Sequence, residues 1–492
     1  MNVLLIYPEF PDTFWSFKHA LKFICKKAVL PPLGLVTLGA MLPENWSTRL
    51  VDTNVTKLTE ADLAWADCAF ISAMVVQRES ARQIIGRCKE EGLRVVAGGP
   101  LFASEYEAFE DVDHFVLNEA ELTLPLFLLD LERDCTKRVY ETSQFCDIRK
   151  TPVPMWALLD LKRYASMSIQ FSRGCPFDCE FCNVTALFGH RPRIKTAGQI
   201  IAELDGLYKL GWRGQIFFVD DNFIGNKKYL KTQLLPALIA WRKGKKGVPF
   251  FTEASVNLAD DDVLIEMMVA AGFDSVFIGI ETTDEQCLAE CNKTQNKNRD
   301  LIADVKRLQQ AGLQVQGGFI VGFDGDSPSV FQQQIDFIQK SGIVTAMVGL
   351  LQAPPGTRLY ERMKQEGRLT GQLSGDNVDG TTNIIPHMGL NTLREGYRRI
   401  MGYIYSDKYY YQRVKTFLRE YKAPEIRLPM DFQRFLALFR TNVRLGIFGK
   451  ERFQYWQLLV WTVFRRPELF SLAITSAIQG HHFRKICEQY IL

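Results

Sequence analysis

No uninterrupted apolar segment in this chain approaches 18 residues, so the sequence offers no transmembrane helix. Neither charge is in excess. With 59 basic and 56 acidic residues, the net +3 makes no electrostatic case for nucleic acid. A hydrophobic share of 47% and a charged share of 23% leave no disordered tract. The opening run Met1-Asn2-Val3-Leu4-Leu5-Ile6-Tyr7-Pro8 has no basic leader ahead of a long apolar stretch. It therefore reads as a strand and not as a secretory signal. Without an export signal, eleven cysteines point to a reducing cytosol and to no disulfides. A cytoplasmic protein of 492 residues in two or three domains is the expectation.

Three of those cysteines are unusually informative. Cys175, Cys179 and Cys182 lie in Gly174-Cys175-Pro176-Phe177-Asp178-Cys179-Glu180-Phe181-Cys182, with three and then two residues between them. One short loop thus offers three thiolates. A [4Fe–4S] cube has four irons, so one iron stays open to chelate a small molecule and pass it an electron. Two alternatives stand beside the cube: a zinc site with His190 as fourth ligand, and three unrelated core cysteines. Cys287 and Cys291 would share a helix face and read as core or surface thiols. The spacing, with aromatic Phe181 before the last cysteine, resembles the radical S-adenosylmethionine (SAM) enzymes. The resemblance implies that the open iron takes the amino and carboxylate groups of SAM, and that electron transfer releases a 5′-deoxyadenosyl radical.

Ahead of the motif, short apolar runs at 3–7, 49–52, 69–72, 95–97 and 115–117 alternate with helical patterns. They predict a parallel, doubly wound sheet that binds ligands at its carboxyl strand ends. Those ends carry Asn54, Ser72, Gly98, Gly99 and Glu119. A Gly-Gly turn lets a bulky ligand approach the backbone, and it also serves as a plain strand-to-helix turn. Before a radical SAM motif, the set resembles the cobalamin-binding domain of one large subgroup of these enzymes. The resemblance implies that those five residues face the corrin. One departure is plain. Where the methionine-synthase type has Asp-x-His-x-x-Gly, this chain has Asp52-Thr53-Asn54-Val55-Thr56-Lys57. The expectation is a cobalt with no protein histidine below it, and the rival is a domain that no longer holds a corrinoid.

After a connection at 136–165 containing Thr151-Pro152-Val153-Pro154, a second series predicts strands at 168–172, 215–220, 249–254, 275–281, 315–321 and 346–352. Six βα units are too few for a closed eight-stranded barrel, so an open partial barrel follows. Catalytic groups in βα barrels lie at carboxyl strand ends. There the resemblance implies Asp220 for the SAM ammonium, Glu253 and Glu281 for the ribose, Lys293 for the carboxylate and Phe319 on the adenine, with Phe181 beside the cluster. A polar loop at 375–383 is expected to cap the site. From 393 onward the pattern is helical. Residues 425–492 are dense in aromatics with interspersed arginines, which suits a helical core or a surface for an apolar substrate or a membrane.

The expected fold class is α/β. A Rossmann-like cobalamin-type domain (1–135) and a linker (136–165) lead into a partial (β/α)6 barrel (166–370) and a mainly helical C-terminal domain (371–492). The whole resembles the subgroup containing the hopanoid methylases. That implies a [4Fe–4S] cluster, SAM and cobalamin as cofactors, and methyl transfer to an unactivated carbon of a small, lipid-like or apolar substrate. A reductant such as flavodoxin or ferredoxin goes with that chemistry, the balanced charge speaks against a nucleic-acid partner, and the aromatic and basic C-terminal pattern leaves open peripheral contact with the cytoplasmic face of a membrane. Three other readings stay open: a radical rearrangement or ring closure without methylation, a transfer-RNA methylthiotransferase using Cys25, Cys68 and Cys88, and a corrinoid sensor without turnover.

Overall fold

The computed structural model describes residues 1–376, 378–423 and 432–492; Asn377 of the polar loop and 425–431 of the aromatic region lie outside the described residues. The first sheet contains β1 (Asn2–Tyr7), β2 (Ser47–Asp52), β3 (Cys68–Ser72), β4 (Arg94–Gly98), β5 (His114–Val116) and β6 (Val139–Tyr140). Its order is β2-β1-β3-β4-β5-β6, parallel throughout. Val3 to Ile6 are buried without a break, as a parallel strand covered on both faces requires. The order reverses between β1 and β3, which opens a crevice at their carboxyl ends. β6 comes from the segment read as irregular connection. Two residues are too short a run to show alternation.

The second sheet is built from β7 (Ser166–Ile169), β10 (Gln215–Phe218), β11 (Phe250–Ala254), β12 (Phe273–Glu281), β13 (Gln314–Val321) and β14 (Ala346–Leu350), with a small hairpin of β8 (Ser172–Arg173) and β9 (Arg193–Ile194) beside it. All six strands are parallel and follow chain order from β7 to β14, which stay unpaired with each other. This is the open partial barrel. Asp261 and Asp300 cap two of its helices, each side chain accepting an amide N–H of the first turn, from Leu264 and from Ala303.

Alternation then sorts the barrel side chains. Val276 and Ile278 point out to the helices and are fully buried, while Phe217, Phe251, Phe277 and Met347 are half-buried on the other face. The helices from Leu390 to Ile486 pack on the barrel's outside near β14, and one continuous apolar core joins them to it. The N-terminal segment enters the same core, with Phe14 stacked on Phe483 at 4.2 Å. Among the described residues no helix is long and apolar enough to cross a membrane.

Candidate active site

The cysteine loop leaves β8 and returns to β9, so the small hairpin clamps its two ends. Gly174 opens the loop at φ +94°, and a Cβ there would sit 2.8 Å from the Gly189 carbonyl oxygen and 3.0 Å from that of Phe188. Only glycine satisfies both demands. The loop interior is tied to the barrel. The Glu180 N–H donates to the Cys291 carbonyl at 2.9 Å, Asn292 Nδ2 donates to the Asp178 carbonyl at 2.8 Å, and Arg362 pairs with Glu180 at 2.7 Å. Side-chain amides approach two sulfurs: Asn222 Nδ2 lies 3.9 Å from Cys175 Sγ, and Gln295 Nε2 lies 3.7 Å from Cys179 Sγ. A protonated thiol has little use for such donors. A cluster thiolate does.

Burial pushes all three thiols up, Cys182 to about 12, so metal binding is what would ionise them. A tetrahedral zinc with bonds of about 2.3 Å draws its sulfurs within roughly 4 Å of one another. Among the described residues, the one trio of donors within 4.8 Å is Asp324, Glu366 and His387, and Arg362 and Arg368 already occupy Asp324. The three motif sulfurs do not all lie within 4.8 Å of one another, and it is their spacing along the chain that points to a cube. Cys68 and Cys88 are buried on opposite faces of the first sheet, and Cys25 is exposed, so these three form no second cluster site.

The expected SAM contacts separate into two groups. Glu253, Glu281, Lys293 and Phe181 gather around the loop. Lys293 Nζ lies 2.6 Å from Glu281 Oε1 and 5.9 Å from the Phe181 ring centre. Burial pulls the ammonium down, but the Glu281 carboxylate and Cys179 outweigh it, so Lys293 stays above its ordinary value. Glu281 curls back at φ +62°, and a Cβ at Gly279 would collide with its carboxylate. The Glu253 carboxyl has no hydrogen-bond partner among the described residues. Burial, then Asp221 and Asp220, push it up to about 8.

Asp220 and Phe319 are positioned differently. Asp220 accepts the Phe171 N–H at 3.2 Å, the Ser172 hydroxyl at 2.5 Å and the Ser172 N–H, so its oxygens are spent on the base of the loop. Burial raises it to about 7. Phe319 lies on the outer face of β13 and packs on Phe337 at 5.8 Å, fully buried. The β13 pleat turns Gly318 and Ile320 inward instead. Asp221, which accepts the Gly174 N–H at 3.2 Å, was visible in the Asp-Asp-Asn run; nothing local marked Gln295 or Arg362.

At the first sheet, Ser72, Gly98 and Gly99 remain half-open at the strand ends, and Met74 is exposed beside them. The glycines answer to their own neighbours. A Cβ at Gly98 would lie 2.6 Å from the Val116 carbonyl oxygen, and one at Gly99 2.6 Å from Ser72 Oγ. Asn54 is consumed internally, accepting the Phe10 N–H at 2.8 Å and donating to Asp52 at 2.7 Å and to the Pro8 carbonyl at 3.0 Å. Glu119 is not turned to a ligand. It is 4% exposed and bonded to Arg173 and Arg193, each at 2.9 Å, and to the Cys146 N–H at 2.7 Å. These bonds join the first sheet to the cluster loop. The polar loop spans both sheets: a Cβ at Gly375 would meet the Val76 nitrogen at 2.6 Å, and Asn383 exchanges two 2.8 Å bonds with Ala353.

Residues 169–338 match the radical SAM superfamily, and residues 357–491 match a domain of unknown function, DUF4070. An uncharacterized methyltransferase of Synechocystis sp. is 39% identical across 100% of this chain and 93% of its own length. The hopanoid C-2 methylase of Rhodopseudomonas palustris is 32% identical across 98% of this chain and 92% of its own. The cobalamin-dependent S-adenosylmethionine radical enzyme OxsB shares the fold at a TM-score of 0.62 and 15% identity, over 99% of this chain and 79% of that one. On this cysteine site and these full-length relatives, the chain belongs to the cobalamin-dependent radical SAM methylases, which transfer methyl groups to carbon.

Proposed function

We propose that the protein methylates an unactivated carbon of a flat, apolar polycycle of the hopanoid type. The observation that carries the substrate reading is the barrel interior. Phe217 and Phe251 stack at 4.3 Å with their planes 7° apart, Phe277 meets Trp15 at 5.7 Å, and Trp15 Nε1 lies 3.1 Å from Met347 Sδ. These half-exposed rings form an aromatic floor one pleat below Glu253, and such a floor stabilises an apolar ring system by area and stacking. The likeness to a hopanoid C-2 methylase supports the same class.

Cys175, Cys179 and Cys182 would hold the cluster, with Asn222 and Gln295 donating to two sulfurs. Glu253, with no other partner, is the acceptor suited to the SAM ammonium, and Lys293 is the cation suited to its carboxylate. Glu281 keeps Lys293 charged, and Asp220 serves as a positioning residue for the loop. The crevice of Ser72, Met74, Gly98 and Gly99 would receive the corrin. When bound, the cluster supplies the electron that cleaves SAM, and cobalamin carries the methyl group. The family carries a small-molecule substrate and a reductant with it; flavodoxin or ferredoxin is our choice for the reductant.

The test is anaerobic reconstitution with cobalamin, SAM, reductant and a pentacyclic triterpenoid. The expected product is heavier by one CH₂ unit, with 5′-deoxyadenosine released. Cys179→Ser is expected to lose the cluster absorbance and both products. Deoxyadenosine with an unchanged triterpenoid mass would overturn the methylation of this substrate class and favour rearrangement.

A further inference from the structure

The active site leaves one large surface feature unexplained. The helix Phe432–Thr441, the π-turn Asn442–Ile447 and the helix Arg452–Arg465 bury one face against the core and show a second apolar face to solvent. Phe448 is 79% exposed, Phe453 72% and Phe464 80%, and Phe439, Ile447 and Val460 are each more than half exposed. These positions fall within 26 residues of chain, on neighbouring helical segments. Phe453, Val460 and Phe464 recur at helical spacing on one stripe. Trp456 Nε1 donates to the Gly446 carbonyl at 2.9 Å, which holds the π-turn against that helix. Apolar patches of this kind on a water-soluble surface mark a partner.

The charge around the patch identifies the partner. Residues 432–466 contain seven basic side chains and one acid. That acid, Glu451, is buried and paired with Arg484 and His481, so it offers nothing to the outside. Arg452 and Arg465 are exposed next to Phe453 and Phe464 in the chain, with Arg452 lying 5.0 Å over Phe453, while Arg444 lies over the buried Phe23 ring and Lys450 faces Glu488 at 3.7 Å. A second copy meeting this face through a two-fold axis would set cations against cations. An anionic bilayer answers both features, its acyl boundary taking the rings and its headgroups the arginines.

We infer that the C-terminal helices dock the enzyme on an anionic membrane surface, with the rings of Phe448, Phe453 and Phe464 inserted and Arg452 and Arg465 at headgroup level. Docking would involve these helices alone and is independent of the substrate bound in the barrel.

The test is flotation of the full chain with vesicles of phosphatidylcholine alone or mixed with phosphatidylglycerol. Binding is expected to be about tenfold tighter to the anionic vesicles. The triple variant Phe448→Ser/Phe453→Ser/Phe464→Ser, with unchanged circular dichroism, is expected to stay with the unbound protein. Arg452→Glu/Arg465→Glu is expected to bind both vesicle types alike. Three results would each overturn the docking: no flotation of the parent, equal flotation of the triple variant, or a concentration-dependent dimer in sedimentation that the triple variant abolishes.

Discussion

Glu253 is an acid without a base. Its folded-state pKa, about 8, lies above the ordinary 4.5, because burial and then Asp221 and Asp220 disfavour the charge. The folded chain therefore holds this proton more tightly than the unfolded one. The resulting stability is complete below the ordinary value and is lost as pH climbs through about 8. Glu253→Gln is expected to stabilise the cofactor-free protein, with a gain that grows between about pH 6 and pH 9 by on the order of 1–2 kcal/mol. Melting temperatures of parent and variant at the two pH values check it, and a gain that shrinks with rising pH would refute it. Asp220, also raised by burial, has its oxygens occupied by the loop base, so it differs in role from Glu253 despite a similar environment. Its position in the Asp-Asp-Asn run was legible. Its bonding was not, because two adjacent acids at a strand end look alike until the pleat and the neighbouring loop assign each a direction.

The hairpin β8–β9 and its acidic clamp show what a short element can carry. Arg173 directly precedes Gly174 and is held by Glu119 at 2.9 Å and Glu121 at 2.7 Å, and Arg193 on the opposite strand shares Glu119. Burial raises the Glu121 carboxyl, but Arg173 outweighs it and brings it down to about 2. Glu119→Ala would leave two guanidiniums inside the interface short of an acceptor, a change that costs about 3 kcal/mol or more. The expected outcome is a lower urea midpoint and less iron per chain, whereas the exposed Glu110→Ala should leave both unchanged. Gly174→Ala is expected to lose iron as well, since its Cβ would press on backbone oxygens that have nowhere to move. Equal iron content in parent and variants would remove the clamp from the account. The five longer strands of the first sheet and the six of the barrel were legible, since apolar runs bounded by turns carry their own signal. The two-residue β6, β8 and β9 were not, because so few residues have no periodicity and owe their pairing to contacts made elsewhere.

Across the whole molecule, a single apolar core runs through the barrel and the C-terminal helices. Tyr405 exchanges hydrogen bonds with both backbone groups of Ala346, at 3.1 and 2.7 Å, and the buried Arg413 donates to the Ile404 carbonyl at 2.8 Å. The barrel and these helices are thus expected to unfold in one calorimetric transition, not two. Tyr405→Phe, which leaves the Ala346 groups short of a partner, is expected to cost about 1–2 kcal/mol. Two resolved endotherms assigned by proteolysis to barrel and helices would contradict the shared core. Residue spacing alone determined the cysteine loop, the two parallel sheets and the aromatic density of the last helices, because these signals lie within a few residues of chain. Tertiary packing alone decided which acids remain free at the barrel mouth, that Glu119 clasps the cluster loop, that Phe319 faces outward, and which C-terminal rings meet water. The physical reason is distance along the chain: Glu119 and Arg193 are 74 residues apart, and only the folded barrel brings their charges within 2.9 Å.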